Sequence, residues 1–159
     1  MKISIIIPCY NELATIGEVI NKIINTVSYD YEIIVIDDFS NDGTRELLEN
    51  RLKEKITKLV LNEKNFGKGY SLKRGIDAAN GDIILIQDAD LEYDPSDYPK
   101  LIEPIKNGYA DVVYGSRFIG SSEKAILLYW HRVGNFLLTT LSNMLSNLNL
   151  TDMEVCYKA

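Results

Sequence analysis

The sequence predicts an α/β protein built on a mostly parallel central sheet flanked by helices. Short runs of β-branched and other aliphatic residues recur without alternation, as in strands buried on both faces, and helical patterns separate them. Strands that alternate with helices imply parallel neighbours with helices on both sides of the sheet. Each run is followed by a polar, chemically distinctive segment, and in such sheets the working residues gather beyond the carboxyl ends of the strands.

Taken in order, Ile3 to Ile7 is a β-branched run closed by Pro8, and Tyr31 to Ile36 repeats the pattern before Asp37-Asp38. Further runs stand at Leu59-Val60-Leu61, Ile83 to Ile86 and Val112-Val113-Tyr114. Leu13, Ile16, Ile20, Ile23, Ile24 and Val27 fall on one helical face, as do Leu47, Leu48 and Leu52 in the next segment. Asp94-Pro95-Ser96-Asp97 reads as the start of a helix from Tyr98 to Lys106. From Ile126 through Trp130, Val133, Leu137, Leu141 and Met144 to Leu148 a three-four spacing persists, while Arg132, Asn135, Thr139, Asn143 and Ser146 take other faces. That helix either closes the core or lies on a membrane surface. No internal repeat divides the chain, so residues 1–159 read as one domain, and the ending at Tyr157-Lys158-Ala159 reads as a C-terminal truncation.

Composition narrows the function classes. A chain of 159 residues with 46% apolar and 25% charged side chains can bury a sizeable core and is not disordered. A formal charge of −6 argues against a nucleic-acid partner. Cys9 and Cys156 stand in no disulfide framework or metal spacing, which fits a reduced, cytoplasmic setting. The turn after the first strand, Pro8-Cys9-Tyr10-Asn11-Glu12, has no glycine, which excludes a dinucleotide fingerprint, and Phe66 to Ser71 fails the spacing of a phosphate loop. His131 is the sole histidine; it is read as a partly exposed helix residue, and multi-histidine metal sites are excluded.

Residues 87–95 read QDADLEYDP, directly after an apolar strand. Asp88, Asp90, Glu92 and Asp94 occupy every second position, and on an extended segment such positions share one side, roughly 6–7 Å apart. The arrangement repels itself unless a cation sits there. Oxygen ligands alone select a hard ion, Mg2+ or Mn2+, which keeps open positions for phosphate oxygens. Asp94 and Asp97 are read instead as helix caps.

Five segments, Ile6 to Glu12, Val35 to Thr44, Asn65 to Gly69, Asp88-Ala89-Asp90 and Gly115-Ser116-Arg117, together resemble the family 2 glycosyltransferases of GT-A fold, a Rossmann-like architecture. With Thr151-Asp152-Met153-Glu154-Val155-Cys156-Tyr157-Lys158, the combination is similar to the branch that makes dolichyl- or polyprenyl-phosphate sugars. The resemblance implies metal-dependent, inverting transfer of a hexose from a GDP-mannose or UDP-glucose type donor to a lipid phosphate. Two alternatives stay open: transfer to a saccharide hydroxyl in cell-surface polysaccharide synthesis, and a catalytically silent nucleotide-sugar-binding module.

Position by position, the resemblance places Pro8, Tyr10 and Glu12 against base and ribose, Asp37 or Asp38 at a base or ribose edge, and Lys68, Asp88 and Ala89 in the donor site. Asp88, Asp90 and Glu92 would hold the metal, although the family often has glutamine where this chain has Glu92. Asp90 would thereby be catalytic. Arg117 resembles the family's phosphate-binding arginine, and Arg117 with Arg132 would meet the acceptor phosphate. A hydroxyl acceptor would need Asp152 or Glu154 as base, whereas an anionic phosphate needs none. A peripheral position at the cytoplasmic membrane face follows from a lipid acceptor. Asn11 is read as capping the next helix, and Ser40, Asn41 and Asp42 as local caps.

Overall fold

The computed structural model describes residues 1–115, 129–152, 155 and 157–159, with backbone alone for 129–132. In chain order the elements are β1 (Lys2–Cys9), α1 (Ile16–Thr26), β2 (Asp30–Asp37), α2 (Thr44–Asn50), β3 (Lys58–Leu61), α3 (Lys68–Ala78), β4 (Ile83–Ile86), α4 (Tyr98–Lys106) and α5 (Tyr129–Ser146). The strands lie in the order β3-β2-β1-β4. All pairs are parallel, and Ile5 stands beside Ile33 of β2 and Leu85 of β4. The chain winds outward from β1 to β3 and then returns to the far side of β1, so a crevice opens beyond the carboxyl ends of β1, β2 and β4.

From Ile5 to Ile7 β1 is aliphatic because it is buried on both faces. Ile3, Ile5, Ile7, Ile33 and Val35 share a core with Ile16, Ile20 and Ile23 of α1, Leu48 of α2 and Ile102 of α4. Ile6, Ile34 and Ile36 form the opposite core with Leu72 and Ala78 of α3. Gly75 lets α3 settle close to the sheet, since a methyl there would come within 2.7 Å of Ile36 Cδ1. Leu13 and Ile24, assigned by periodicity to the buried face of α1, are exposed. Leu13 precedes the helix, and Ile24 stands one position round from the buried Ile23.

The run Val112-Val113-Tyr114 does not join the sheet as a fifth parallel strand. Val113 instead exchanges backbone hydrogen bonds with Ala159, Gly115 N donates to the Tyr157 carbonyl, with Tyr114 and Lys158 bridged antiparallel, and the Lys158 carbonyl accepts from Ile86 N at 2.9 Å. Lys158 thus pairs with the last residue of β4 on its free edge, satisfying the Ile86 N–H.

At the amino end of the sheet a buried carboxylate fastens three elements. Glu32 Oε1 accepts from Ser4 Oγ at 2.6 Å and from Asn80 N at 2.6 Å, and Lys2 Nζ lies 3.2 Å from Oε2. Burial pushes the Glu32 carboxyl upward, but the Ser4, Asn80 and Lys2 contacts outweigh it and bring the pKa down from 4.5 to about 2. A folded-state pKa below the unfolded one stabilises above the unfolded value, by about 3 kcal/mol here, and that contribution is lost as pH falls from about 4.5 to about 2. Glu32→Ala is therefore expected to lower the unfolding temperature at pH 7 by roughly 6–12 °C. Thermal unfolding followed by circular dichroism should also show a shallower loss of stability for the variant than for wild type across that pH window.

In α5 the periodicity is kept but its orientation is the reverse of a core-closing helix. Asn135 and Thr139 are buried, whereas Leu137, Leu141, Met144 and Leu148 are exposed. The polar face is anchored: Asn135 Nδ2 donates to Asp152 Oδ1 at 2.7 Å, and the Asn143 amide exchanges two hydrogen bonds with the Leu150 backbone. Among the described residues, no helix is long and apolar enough to cross a membrane.

Candidate functional site

The loops after β1, β2 and β3 are stitched together by side-chain to backbone bonds. Asn11, at φ 57°, accepts from Asn41 N through Oδ1, and its own N–H donates to Ser40 Oγ. It therefore does not cap α1, contrary to the sequence reading. Thr15 stands at the N-cap of α1 without a side-chain cap, its Oγ1 donating instead to Glu12 Oε2 at 2.7 Å. Asp42 accepts from Thr44 N and Leu13 N, so Asp42 and its neighbours shape the loops.

Asp38 is the central clamp. It is buried, and its carboxylate accepts from Asn62 Nδ2 at 2.6 Å, Phe66 N at 3.0 Å and Gly67 N at 2.7 Å. Burial opposes ionisation, yet these donors hold the Asp38 carboxyl below the usual range. The adjacent Asp37 points elsewhere and binds Arg45 at 2.7 Å, while the Arg45 guanidinium also reaches the Asn62 carbonyl. Asp37 Oδ1 is buried without a hydrogen-bond partner.

These loops wall a cavity of about 280 Å3 lined by Pro8, Cys9, Tyr10, Glu12, Asp38, Asn65, Gly67, Lys68, Ser71, Asp88, Ala89 and Asp90. Its size lies near the lower bound of small-molecule sites. The Cys9 thiol faces burial first, then the carboxylates of Asp37, Glu12 and Asp42, all of which raise its pKa and keep it protonated.

The acidic segment after β4 is not extended. Leu91 takes φ 66°, Asp90 Oδ1 accepts from Glu92 N at 3.1 Å, and the resulting turn gathers the carboxylates. One oxygen each from Asp88, Asp90 and Glu92 lies within 4.8 Å of the others. Ligands around a hard ion at about 2.1 Å stand roughly 3–4 Å apart. Bringing the trio to the spacing of a single Mg2+ or Mn2+ takes a closure of at most about 1–2 Å, and Asp90 and Glu92 are exposed. Asp94 leaves the group to accept from Ser96 N at 2.8 Å, as its reading as a cap required, whereas Asp97 makes an ion pair with Lys100 instead of a side-chain cap.

An aromatic and amide layer beneath fixes this turn. Gln87, fully buried, donates to the carbonyls of Asp88 and Tyr93 and accepts from Tyr98 Oη at 3.0 Å. Tyr157 stacks on Tyr93 and donates to the Asp94 carbonyl at 2.8 Å.

Of the residues proposed from the sequence, Pro8, Tyr10, Glu12, Asp38, Lys68, Asp88, Ala89 and Asp90 meet in one cavity. Glu92 adjoins it through the carboxylate trio, and Asp37 lies behind it on Arg45. Asp152 is buried and bonded to Asn135 rather than lining the cavity. Arg117, Glu154, Cys156 and the side chains of His131 and Arg132 lie outside the described residues. The sequence reading missed Ser71, Asn65 and the Gln87–Tyr98–Tyr157 layer. A signal for Ser71 exists, since it stands one helical turn after Gly67, which directly precedes α3.

A family model described as Glycosyl transferase family 2 matches residues 4–156. The chain is 40% identical over 120 residues to a dolichol-phosphate mannosyltransferase of Pyrococcus furiosus, a match covering 75% of this chain and 34% of that protein. It is 36% identical over 116 residues to an undecaprenyl-phosphate 4-deoxy-4-formamido-L-arabinose transferase of Aeromonas hydrophila subsp. hydrophila, covering 70% of this chain and 35% of that one. The chain thus spans about a third of the length of the curated relatives it matches. A solved mannosyltransferase from Pyrobaculum calidifontis, in complex with GDP-Man and Mn2+, matches with a TM-score of 0.53 and 29% identity over 60% of this chain and 29% of that chain. Sheet, flanking helices and carboxyl-end cavity are those of the GT-A architecture, and this chain belongs to glycosyl transferase family 2.

Proposed function

We propose that residues 1–159 act as one catalytic domain of an inverting hexosyltransferase. Its donor would be a nucleotide-diphosphate sugar of the GDP-mannose or UDP-glucose type, and its acceptor a polyprenyl or dolichyl phosphate. The observation that carries this reading is the carboxylate trio Asp88, Asp90 and Glu92 at one wall of a cavity whose other walls are Pro8-Tyr10-Glu12 and Asp38-Gly67-Lys68. Tyr10 offers an aromatic face to a base, and Glu12 offers carboxylate oxygens to ribose hydroxyls.

The trio would hold Mg2+ or Mn2+, which when bound neutralises charge on the departing nucleoside diphosphate. Lys68 stands beside the trio and adds a positive charge for phosphate oxygens. A phosphate oxygen of the acceptor attacks the anomeric carbon from the face opposite the leaving group. The bond to the diphosphate oxygen breaks, its electron pair leaves with the nucleotide, and the configuration inverts. Because that nucleophile is already anionic, no side chain has to take a proton, in keeping with the burial of Asp152 against Asn135. Arg117 and Arg132 would receive the acceptor phosphate.

The lipid acceptor is favoured because the two curated relatives have names that share a polyprenyl-type phosphate but differ in sugar. The exposed aliphatic stripe of α5 suits a peripheral position on the cytoplasmic membrane face. Release of nucleoside diphosphate in the presence of Mn2+, measured with and without polyprenyl phosphate in detergent, tests the reading. Release that rises at least tenfold with the lipid supports it. Release stimulated only by free saccharides would assign a hydroxyl acceptor, and donor binding without release under any acceptor would assign a binding module.

A further inference from the structure

Asp88 and Lys68 make the closest charged contact in the cavity. The Lys68 ammonium lies 2.5 Å from Asp88 Oδ1, and the Asp88 side chain is only 10% exposed while that of Lys68 is 45% exposed. A buried carboxylate needs compensation from a cation or from hydrogen-bond donors, and for Asp88 the structure supplies the Lys68 ammonium. The same carboxylate belongs to the trio that fits a divalent ion. An ammonium and a divalent ion held by one carboxylate repel each other, whichever of its two oxygens each takes.

We propose that Lys68 is a placeholder cation that couples metal binding to donor binding. With the donor absent, its ammonium neutralises Asp88 and competes with a lone divalent ion. When metal and nucleoside diphosphate arrive together, the ion takes Asp88 and Lys68 moves to the phosphate oxygens. Lys68 opens α3 directly after Gly67, at φ 88°, and its side chain is half-exposed. The backbone beneath it stays fixed because Asp38 holds Phe66 N and Gly67 N. The consequence is thermodynamic: Lys68 weakens metal binding alone and no longer opposes it in the presence of diphosphate, so nucleotide strengthens metal binding, and by linkage the metal strengthens nucleotide binding by the same factor. This inference rests on the donor-site reading above.

The test measures Mn2+ affinity of the whole chain from the electron paramagnetic resonance signal of free Mn2+, alone and with saturating GDP or UDP, for wild type, Lys68→Met and Lys68→Arg. Lys68→Met is expected to bind Mn2+ alone about tenfold more tightly than wild type and to lose about tenfold of the enhancement that nucleotide confers. Lys68→Arg, which keeps the charge, should stay within a few-fold of wild type. Unchanged or weaker Mn2+ binding by Lys68→Met, with wild type still binding Mn2+ and nucleotide, would overturn the placeholder role and leave the site reading intact. Absence of Mn2+ binding by both proteins with either nucleotide would overturn both.

Discussion

Asp90→Ala should abolish Mn2+-dependent binding of nucleoside diphosphate and leave the fold as it is. Asp90 is exposed, and its bond to Glu92 N is local to the turn, so the unfolding temperature should move by no more than about 2 °C. The binding effect is large because residues that merely orient metal ligands cost 10–100-fold when removed, and a ligand itself costs at least about 100-fold. Calorimetric titration of UDP or GDP with Mn2+ present and absent checks this. An affinity within threefold of wild type would show that the trio does not hold the ion.

Asp38→Ala is expected to damage both fold and site. Its carboxylate serves Asn62, Phe66 N and Gly67 N from a buried position, and truncation strands these donors in the protein interior. The expected loss is on the order of 4 kcal/mol, which corresponds to an unfolding temperature roughly 8–16 °C lower. Because the Asp38 carboxyl is held below its ordinary value, its stabilising share is present at neutral pH and fades as the solution is acidified below about 4. Thermal unfolding and nucleotide titration on the same variant separate the two effects. A variant that keeps wild-type stability would mean that the loop after β3 holds itself.

The architecture was legible because the central stretches of β1 and β2, Ile5 to Ile7 and Ile33 to Ile36, are buried on both faces and are aliphatic for that reason. The strand-end motifs were legible for a related reason: beyond the sheet, side chains are chosen for chemistry rather than packing, so Asp88, Asp90, Tyr10 and Glu12 stand out. Other features depend on contacts that no local pattern encodes. The carboxylates of 88–92 are gathered by a turn with Leu91 at φ 66°, not by alternation along an extended segment. That turn is held from below by Gln87, Tyr98 and Tyr157, the last of them 63 residues from Asp94, the residue it bonds. Periodicity in α5 identifies a stripe but not which side of it faces the protein, and Asn135 with Asp152 decides that. Asp37 and Asp38 look equivalent in sequence, and only Arg45 and Asn62 distinguish a pillar behind the cavity from a clamp within it.

The reversed α5 has a practical corollary. Between Val133 and Thr151 the chain carries no charged side chain, and its outward residues include Phe136, Leu137, Leu138, Leu141, Met144 and Leu145. A net charge of −6 lends the rest of the surface electrostatic repulsion, but this flank has none, and water wets it poorly. Among the described residues, this uncharged aliphatic flank is where self-association in dilute buffer is expected to begin. Added salt, which screens the repulsion elsewhere, shifts the balance toward precipitation through that one helix, and a mild detergent relieves it.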